Sequence, residues 1–299
     1  MLTGFRHRVQ GGLIFLLIVL STLLWVWPLI FFAFVKLLVT LRSVRTFCTR
    51  LLIEVATLWI GFNSWLLQRV NGVEWDVQGL DQLTRRDWYL VTCNHQSWAD
   101  ILVVQAVLYR KTPMLKFFLK QQLIWVPVIG VAWWALDFPF MKRYSAEQIA
   151  KNPSLKGKDL ETTRRACEKF KYTPVAVFNF LEGTRFTPAK HDAQQSPYRY
   201  LLKPKAGGVG FVLGAMGEQL HTLVNVTIHY PGHHHGFWNL LSGRIRKVVV
   251  RIEALEIPPE LRNRDYLQDE AFRLEVQQWV GELWQRKDTL LAELHRQYG

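Results

Sequence analysis

The chain has 299 residues, a formal net charge of +13, and 49% hydrophobic and 13% aromatic residues, with 13 Trp and 18 Phe. That length suits one large or two small α/β domains with a sizeable core, and the aromatic content is rich for a soluble enzyme and points to contact with lipid. Its three cysteines, Cys48, Cys93 and Cys167, lack C-x-x-C spacing, which excludes a disulfide framework and a zinc site and fits a reducing cytosolic face.

A basic balance attracts nucleic acid, anionic lipid and acidic proteins alike. The N-terminus selects the membrane surface. Leu13 to Val35 carries no charge, and at about 1.5 Å per residue such a helix reaches about 35 Å, enough to cross a core of about 30 Å. Arg6 and Arg8 precede it, and Lys36, Arg42, Arg45 and Arg50 follow, so the positive-inside rule leaves orientation open. Juxtamembrane cations are each drawn to anionic headgroups by about 1 kcal/mol. The run is too long for a signal-peptide core and no small-x-small cleavage site follows, so a retained anchor is expected. Pro28 leaves a kinked or interfacial hairpin open as the alternative to a span. Val44 to Val70 reads as a second helix, with Trp59, Phe62, Trp65 and Leu66 at helical spacing.

Asn71-Gly72 breaks the chain. Residues 1–70 are expected as membrane-anchor helices and 71–299 as an α/β domain with a C-terminal amphipathic helix. The predicted strands are Val73–Val77, Trp88–Asn94, Pro113–Phe118, Pro174–Leu181, Thr222–Tyr230 and Lys247–Ala254. The predicted helices are Trp98–Leu108, Gln121–Leu136, Asp159–Phe170, Gly208–Met216 and Asp269–Arg296. The polar, Pro-flanked Thr187–Pro204 reads as a loop able to cover a site. The aromatic run Trp125, Trp133, Trp134, Phe138 and Phe140 reads as core or acyl-chain wall. The basic stretch Lys142–Lys171 reads as a solvated helix face, a headgroup contact or a dock for an acidic carrier protein. His233, His234 and His235 lie between Pro231-Gly232 and Gly236 and read as a surface loop rather than a metal patch.

Two short blocks carry chemistry. Asn94-His95-Gln96-Ser97-Trp98-Ala99-Asp100 follows one predicted strand, and Glu182-Gly183-Thr184-Arg185 follows another. Ligands of open α/β sheets gather at such strand ends. With His95 in the turn and Asp100 in the first helical turn, the carboxylate can fix one tautomer so that the other ring nitrogen takes a proton. The alternative is structural, since Ser97-x-x-Asp100 is also a capping box. Gly183 permits close backbone approach, and Arg185 offers a bidentate fork to phosphate. Glu182 is expected to orient Arg185 or hold an acceptor hydroxyl. The structural alternative is an ordinary turn with an exposed salt bridge. Lys205, before Gly207 and Gly208, reads as a further phosphate contact at a helix start or as a surface lysine.

N-H-x-S-x-x-D followed by F-x-E-G-T-R resembles the lysophosphatidate (1-acylglycerol-3-phosphate) acyltransferase family, and the likeness is nearest to its proteobacterial inner-membrane members. Lys120 to Arg143, with Lys120, Pro127, Gly130 and Phe140-Met141-Lys142-Arg143, is similar to that family's second block. Leu223-Val224-Asn225-Val226-Thr227 is similar to its fourth. Lys142 stands where an acid often precedes the arginine, and the fourth block lacks its usual proline.

The resemblance implies a mixed sheet flanked by helices, with N-terminal membrane-anchoring helices. It implies acyl transfer from acyl-CoA or acyl-carrier protein to the sn-2 hydroxyl of lysophosphatidate at the cytoplasmic face of the cell inner membrane. His95 would be the general base and Asp100 its orienting partner. Glu182, Gly183, Thr184, Arg185, Arg143 and Lys205 would hold the acceptor and its phosphate. No metal, no other cofactor and no nucleic-acid partner is expected. The rival readings are an acyltransferase for another lysophospholipid or a lyso-aminolipid, and a non-catalytic membrane adaptor.

Overall fold

The computed structural model describes residues 2–141, 150–152, 161, 164–165, 167–168, 170, 173–232 and 236–299. Arg143, Lys142, the three consecutive histidines and much of the predicted helix Asp159–Phe170 lie outside the described residues.

Two long helices come first, α1 (Leu2–Leu38) and α2 (Arg42–Trp65), the latter ending in a π-helical turn, Leu66–Val70. Both are long and apolar enough to cross a membrane by length and composition. Helix α1 continues through Pro28, and the chain leaves the helix at residues 39–41. The pair packs antiparallel-fashion through Leu29, Ala33, Leu52 and Ala56, and Trp59 Nε1 donates to Thr22 Oγ1 at 3.1 Å.

All six predicted strands form, within a few residues of the expected bounds, and join one sheet. They are β1 (Glu74–Gln78), β2 (Tyr89–Cys93), β3 (Leu115–Phe117), β6 (Ala176–Phe180), β7 (Thr222–His229) and β8 (Lys247–Glu256), in the order β1-β8-β7-β2-β6-β3. Among the described residues only β7 and β8 pair antiparallel. The tiny strands β4 (Leu119–Lys120) and β5 (Phe140–Met141) pair separately. β2 is central, and every one of its residues is buried, as a parallel strand covered on both faces requires.

The period-two alternation divides the core. Tyr89, Val91 and Cys93 face one cluster with Val224, Val226 and the helix α3 (Ala99–Val107). Leu90 and Leu223 face the other, with α6 (Gly207–Met216) and the C-terminal α8 (Glu270–Tyr298). Among the remaining helices are α4 (Ile129–Ala135), α5 (Pro188–Gln194) and α7 (Phe237–Leu241).

Three expectations need correction. The predicted helix Gln121–Leu136 forms only as a 3-10 turn, Gln121–Trp125, and α4, with Pro127 between them. The segment Thr187–Pro204 is not all loop, because Thr187 caps α5 with its hydroxyl and Pro188 starts it. The aromatic run is split. Trp133 and Phe138 line a small apolar cavity of about 50 Å³ with Trp25, Leu29 and Trp59, whereas Trp125 and Trp134 are 84% and 48% exposed.

Candidate active site

Strands β2 and β6 are parallel neighbours in the register Cys93↔Phe180. The turns leaving their carboxyl ends therefore emerge side by side, and those turns carry the two sequence blocks. β7 flanks β2 on the other side, with Cys93↔Val226, and runs past that edge to bring Tyr230 alongside. Asn94 ties this corner down. Its Nδ2 donates to Ile228 O and its Oδ1 accepts from Ile228 N, each at 2.9 Å.

His95 Nδ1 lies 2.9 Å from Asp100 Oδ2. The same oxygen accepts from the amides of Gln96 (2.6 Å) and Ser97 (2.8 Å), and Oδ1 accepts from the Tyr230 hydroxyl at 2.7 Å. Burial and the adjoining Asp100 charge push the Tyr230 pKa well above its ordinary value, so the phenol stays protonated and donates. Two amides and a phenol donating to one buried carboxylate leave His95 Nδ1 to donate as well, which puts the free lone pair on Nε2. The imidazole stacks on Phe180, centroids 3.9 Å apart and planes at 14°. Half of the capping box also forms. Asp100 accepts from Ser97 N, while Ser97 Oγ accepts from Ala99 N instead of Asp100 N. The capping and base-orienting readings of Asp100 thus coexist in one side chain.

Glu182 takes a different place from either role expected of it. Its side chain is fully buried and touches neither Arg185 nor solvent. Oε1 accepts from His95 N at 2.7 Å and Oε2 from Leu202 N at 3.0 Å. Burial raises its pKa to about 7 against the two amide bonds, which lower it. Phe186 N also donates to His95 O at 2.7 Å. The second block therefore clasps both the N–H and the C=O of His95.

The basic residues lie around this clasp. Gly183 has φ +67°, a conformation that favours glycine, and a Cβ there would sit 3.1 Å from the flexible Lys205 side chain, which would have to shift. Lys205 N donates to Leu181 O at 2.7 Å, which seats Lys205 beside the end of β6. Lys205, Gly183, Asn179, Gly208 and Phe211 line a cleft of about 290 Å³. Thr184 Oγ1 accepts from Lys190 Nζ at 2.7 Å, so its hydroxyl is already engaged. Arg185 is exposed, and its guanidinium makes no hydrogen bond or ion pair among the described residues. Asn225 is turned to the α8 side of the sheet, bonded to Thr92 and Glu253, away from His95.

Sequence reasoning passed over Tyr230, Lys190 and three residues of α8. Trp284 Nε1 donates to Leu202 O at 3.0 Å. Asp288 accepts from the amides of Arg199 and Tyr200, both at 2.8 Å. Lys287 is buried and donates to Val226 O and to Thr227 Oγ1, and burial lowers its pKa to about 8. A polar pair in a helix otherwise rich in charge gives no signal of its target 80 or more positions away.

The chain is 25% identical over 193 residues to 1-acyl-sn-glycerol-3-phosphate acyltransferase gamma of Mus musculus, covering 62% of this chain and 46% of that protein. It is 25% identical over 252 residues to 1-acyl-sn-glycerol-3-phosphate acyltransferase 2 of Brassica oleracea, covering 79% and 59%. The chain thus spans about half the length of the curated relatives it matches. The crystal structure of the 1-acyl-sn-glycerophosphate (LPA) acyltransferase PlsC from Thermotoga maritima superposes with a TM-score of 0.48 at 17% identity, over 93% of this chain and 97% of that one. The family model described as Acyltransferase matches residues 74–229, from β1 to the end of β7 and across both blocks, and the chain belongs to that family.

Proposed function

We propose that this chain transfers a fatty acyl group from a thioester, acyl-CoA or acyl-carrier protein, to the sn-2 hydroxyl of lysophosphatidate, giving phosphatidate. The observation that carries the reading is the 2.9 Å contact between His95 Nδ1 and an Asp100 carboxylate anchored by three further donors. That arrangement leaves Nε2 as a base. It accepts the hydroxyl proton as the oxygen attacks the thioester carbonyl. The tetrahedral oxyanion then collapses, the C–S bond breaks, and the imidazolium returns its proton to the departing thiolate. No acyl-enzyme is required, because the thioester is already activated. Arg185, with Lys205 and Arg143, supplies positive charge for the acceptor phosphate, and Lys190 adds to that rim. The names of the relatives from mouse and Brassica support the same acceptor.

The site works at a membrane, the cell inner membrane with the domain facing the cytoplasm. Leu13, Leu16, Leu20, Leu24, Trp27 and Phe31 recur every three or four residues along α1, and all stand exposed. Such a stripe fits an acyl-chain environment. The other face of α1 lies on the α/β domain at both ends. His7 Nδ1 is 2.7 Å from Ser242 O, Gln10 Nε2 donates to Asn71 Oδ1 at 2.8 Å, and Lys36 pairs with Asp137. Residues 7 and 36 are about 44 Å apart along a helix. A helix pinned along that length supports an in-plane anchor in one leaflet rather than a span.

His95→Ala tests the chemistry. General-base catalysis contributes about 10²–10⁴-fold, so transfer from acyl-CoA to lysophosphatidate should fall by at least about a hundredfold with the melting temperature preserved. Normal turnover by the variant would sink the mechanism.

A further inference from the structure

Arg185 carries the phosphate role above, yet among the described residues nothing polar holds its guanidinium. Its backbone is well fixed. Lys190 Nζ donates to Arg185 O at 3.0 Å, and the next amide, Phe186 N, bonds to His95 O at 2.7 Å. Among the described residues the side chain has one partner: its Cζ sits 5.2 Å from the ring centroid of Trp98. Trp98 stands three residues after His95, at the residue that precedes α3, and is 55% exposed. It offers no side-chain cap to that helix and is no part of the core. An indole so placed needs a reason other than packing.

We propose that Trp98 is a positioning residue for the phosphate-binding arginine: its ring holds the Arg185 guanidinium beside the turn that carries His95. A cation–π contact draws on the π face of the indole and uses none of the five N–H donors of the guanidinium. Those donors stay available for a bidentate contact with the acceptor phosphate. A long side chain held before binding loses less rotamer freedom when the ligand arrives, which strengthens binding without touching the reacting atoms. The first block thereby reaches the second through the ring of Trp98 as well as through the backbone of His95. This inference rests on the reading of Arg185 as the phosphate ligand.

The test is steady-state kinetics on the full chain at saturating acyl-CoA, varying lysophosphatidate. The variants are Trp98→Ala, Trp98→Phe, Arg185→Ala and the Trp98→Ala/Arg185→Ala pair, each with its melting temperature. An exposed cation–π contact corresponds to about a two- to fivefold change in affinity, so Trp98→Ala should raise KM for lysophosphatidate by that factor with kcat little changed. Trp98→Phe should fall between, since phenyl is the weaker partner. In the Arg185→Ala background Trp98→Ala should add nothing. A KM raised by Arg185→Ala but not by Trp98→Ala would overturn the positioning role and leave the phosphate reading standing. A Trp98→Ala effect that persists without Arg185 would also overturn it, and would mean that the indole meets acceptor or lipid directly. A KM indifferent to Arg185→Ala, or no transfer to lysophosphatidate at all, would remove the phosphate reading and this inference with it.

Discussion

Glu182 is fully buried and makes no ion pair among the described residues; backbone amides on opposite sides satisfy its two oxygens. A carboxylate so placed keeps its proton in the folded state up to about pH 7, against about 4.5 for the ordinary group. The folded chain therefore binds the extra proton between those values, and the stability that Glu182 contributes falls as pH rises through them. His229, buried and lowered to about 4, works in the opposite sense, losing stability as pH falls below 6.5. Comparison with Glu182→Gln isolates the one from the other. Chemical denaturation from pH 4.5 to 7 should show wild type losing up to about 3 kcal/mol relative to the variant, at about 1.4 kcal/mol per pKa unit. A difference flat with pH would contradict the buried-acid assignment. At this scale the sequence placed His95, Asp100, Glu182 and Arg185 at two strand ends, and it expected of Glu182 contacts that its burial does not make. An acid three residues before an arginine reads as its partner, and only the burial of one and exposure of the other separates them.

Element α8 acts on the site from a distance. Trp284 and Asp288 lie four apart on one face and seize the segment 199–202, whose Leu202 amide completes Glu182. Asp288→Ala would leave two part-buried amides short of an acceptor, at about 1 kcal/mol, the low end for such groups. We expect a lower melting temperature, faster amide exchange at residues 199–202 and a reduced kcat. Exchange unchanged at those amides would show that α8 does not hold the segment. The helix itself was evident from its period and from Asp269, whose carboxylate caps it by accepting from Phe272 N at 2.9 Å. Its target was not, because an acid inside a charged helix looks like a solvated face. The missed helix α5 had a local signal, Thr-Pro, an N-cap followed by proline at the first helical position.

Across the whole molecule, the proposed in-plane placement of α1 has a direct test. Single cysteines at Gly4 and Leu41, both away from the packed face, should react with an impermeant thiol reagent from the same side of sealed vesicles. The native cysteines are buried and serve as the silent background. Labelling from opposite sides would establish a span.

What the sequence determined by itself was local: six strands, the long helices, the apolar N-terminus, and the placing of both reactive blocks at strand ends. These follow from hydrophobic period and turn chemistry, which act over a few residues. What only the tertiary structure decided was who meets whom. Strand order places β6 beside β2, so that Glu182 grips the backbone of His95, Tyr230 reaches Asp100, Trp98 reaches Arg185, and α1 lies along the domain. Those partners are set by sheet topology and packing between distant segments, and no period within one segment encodes them.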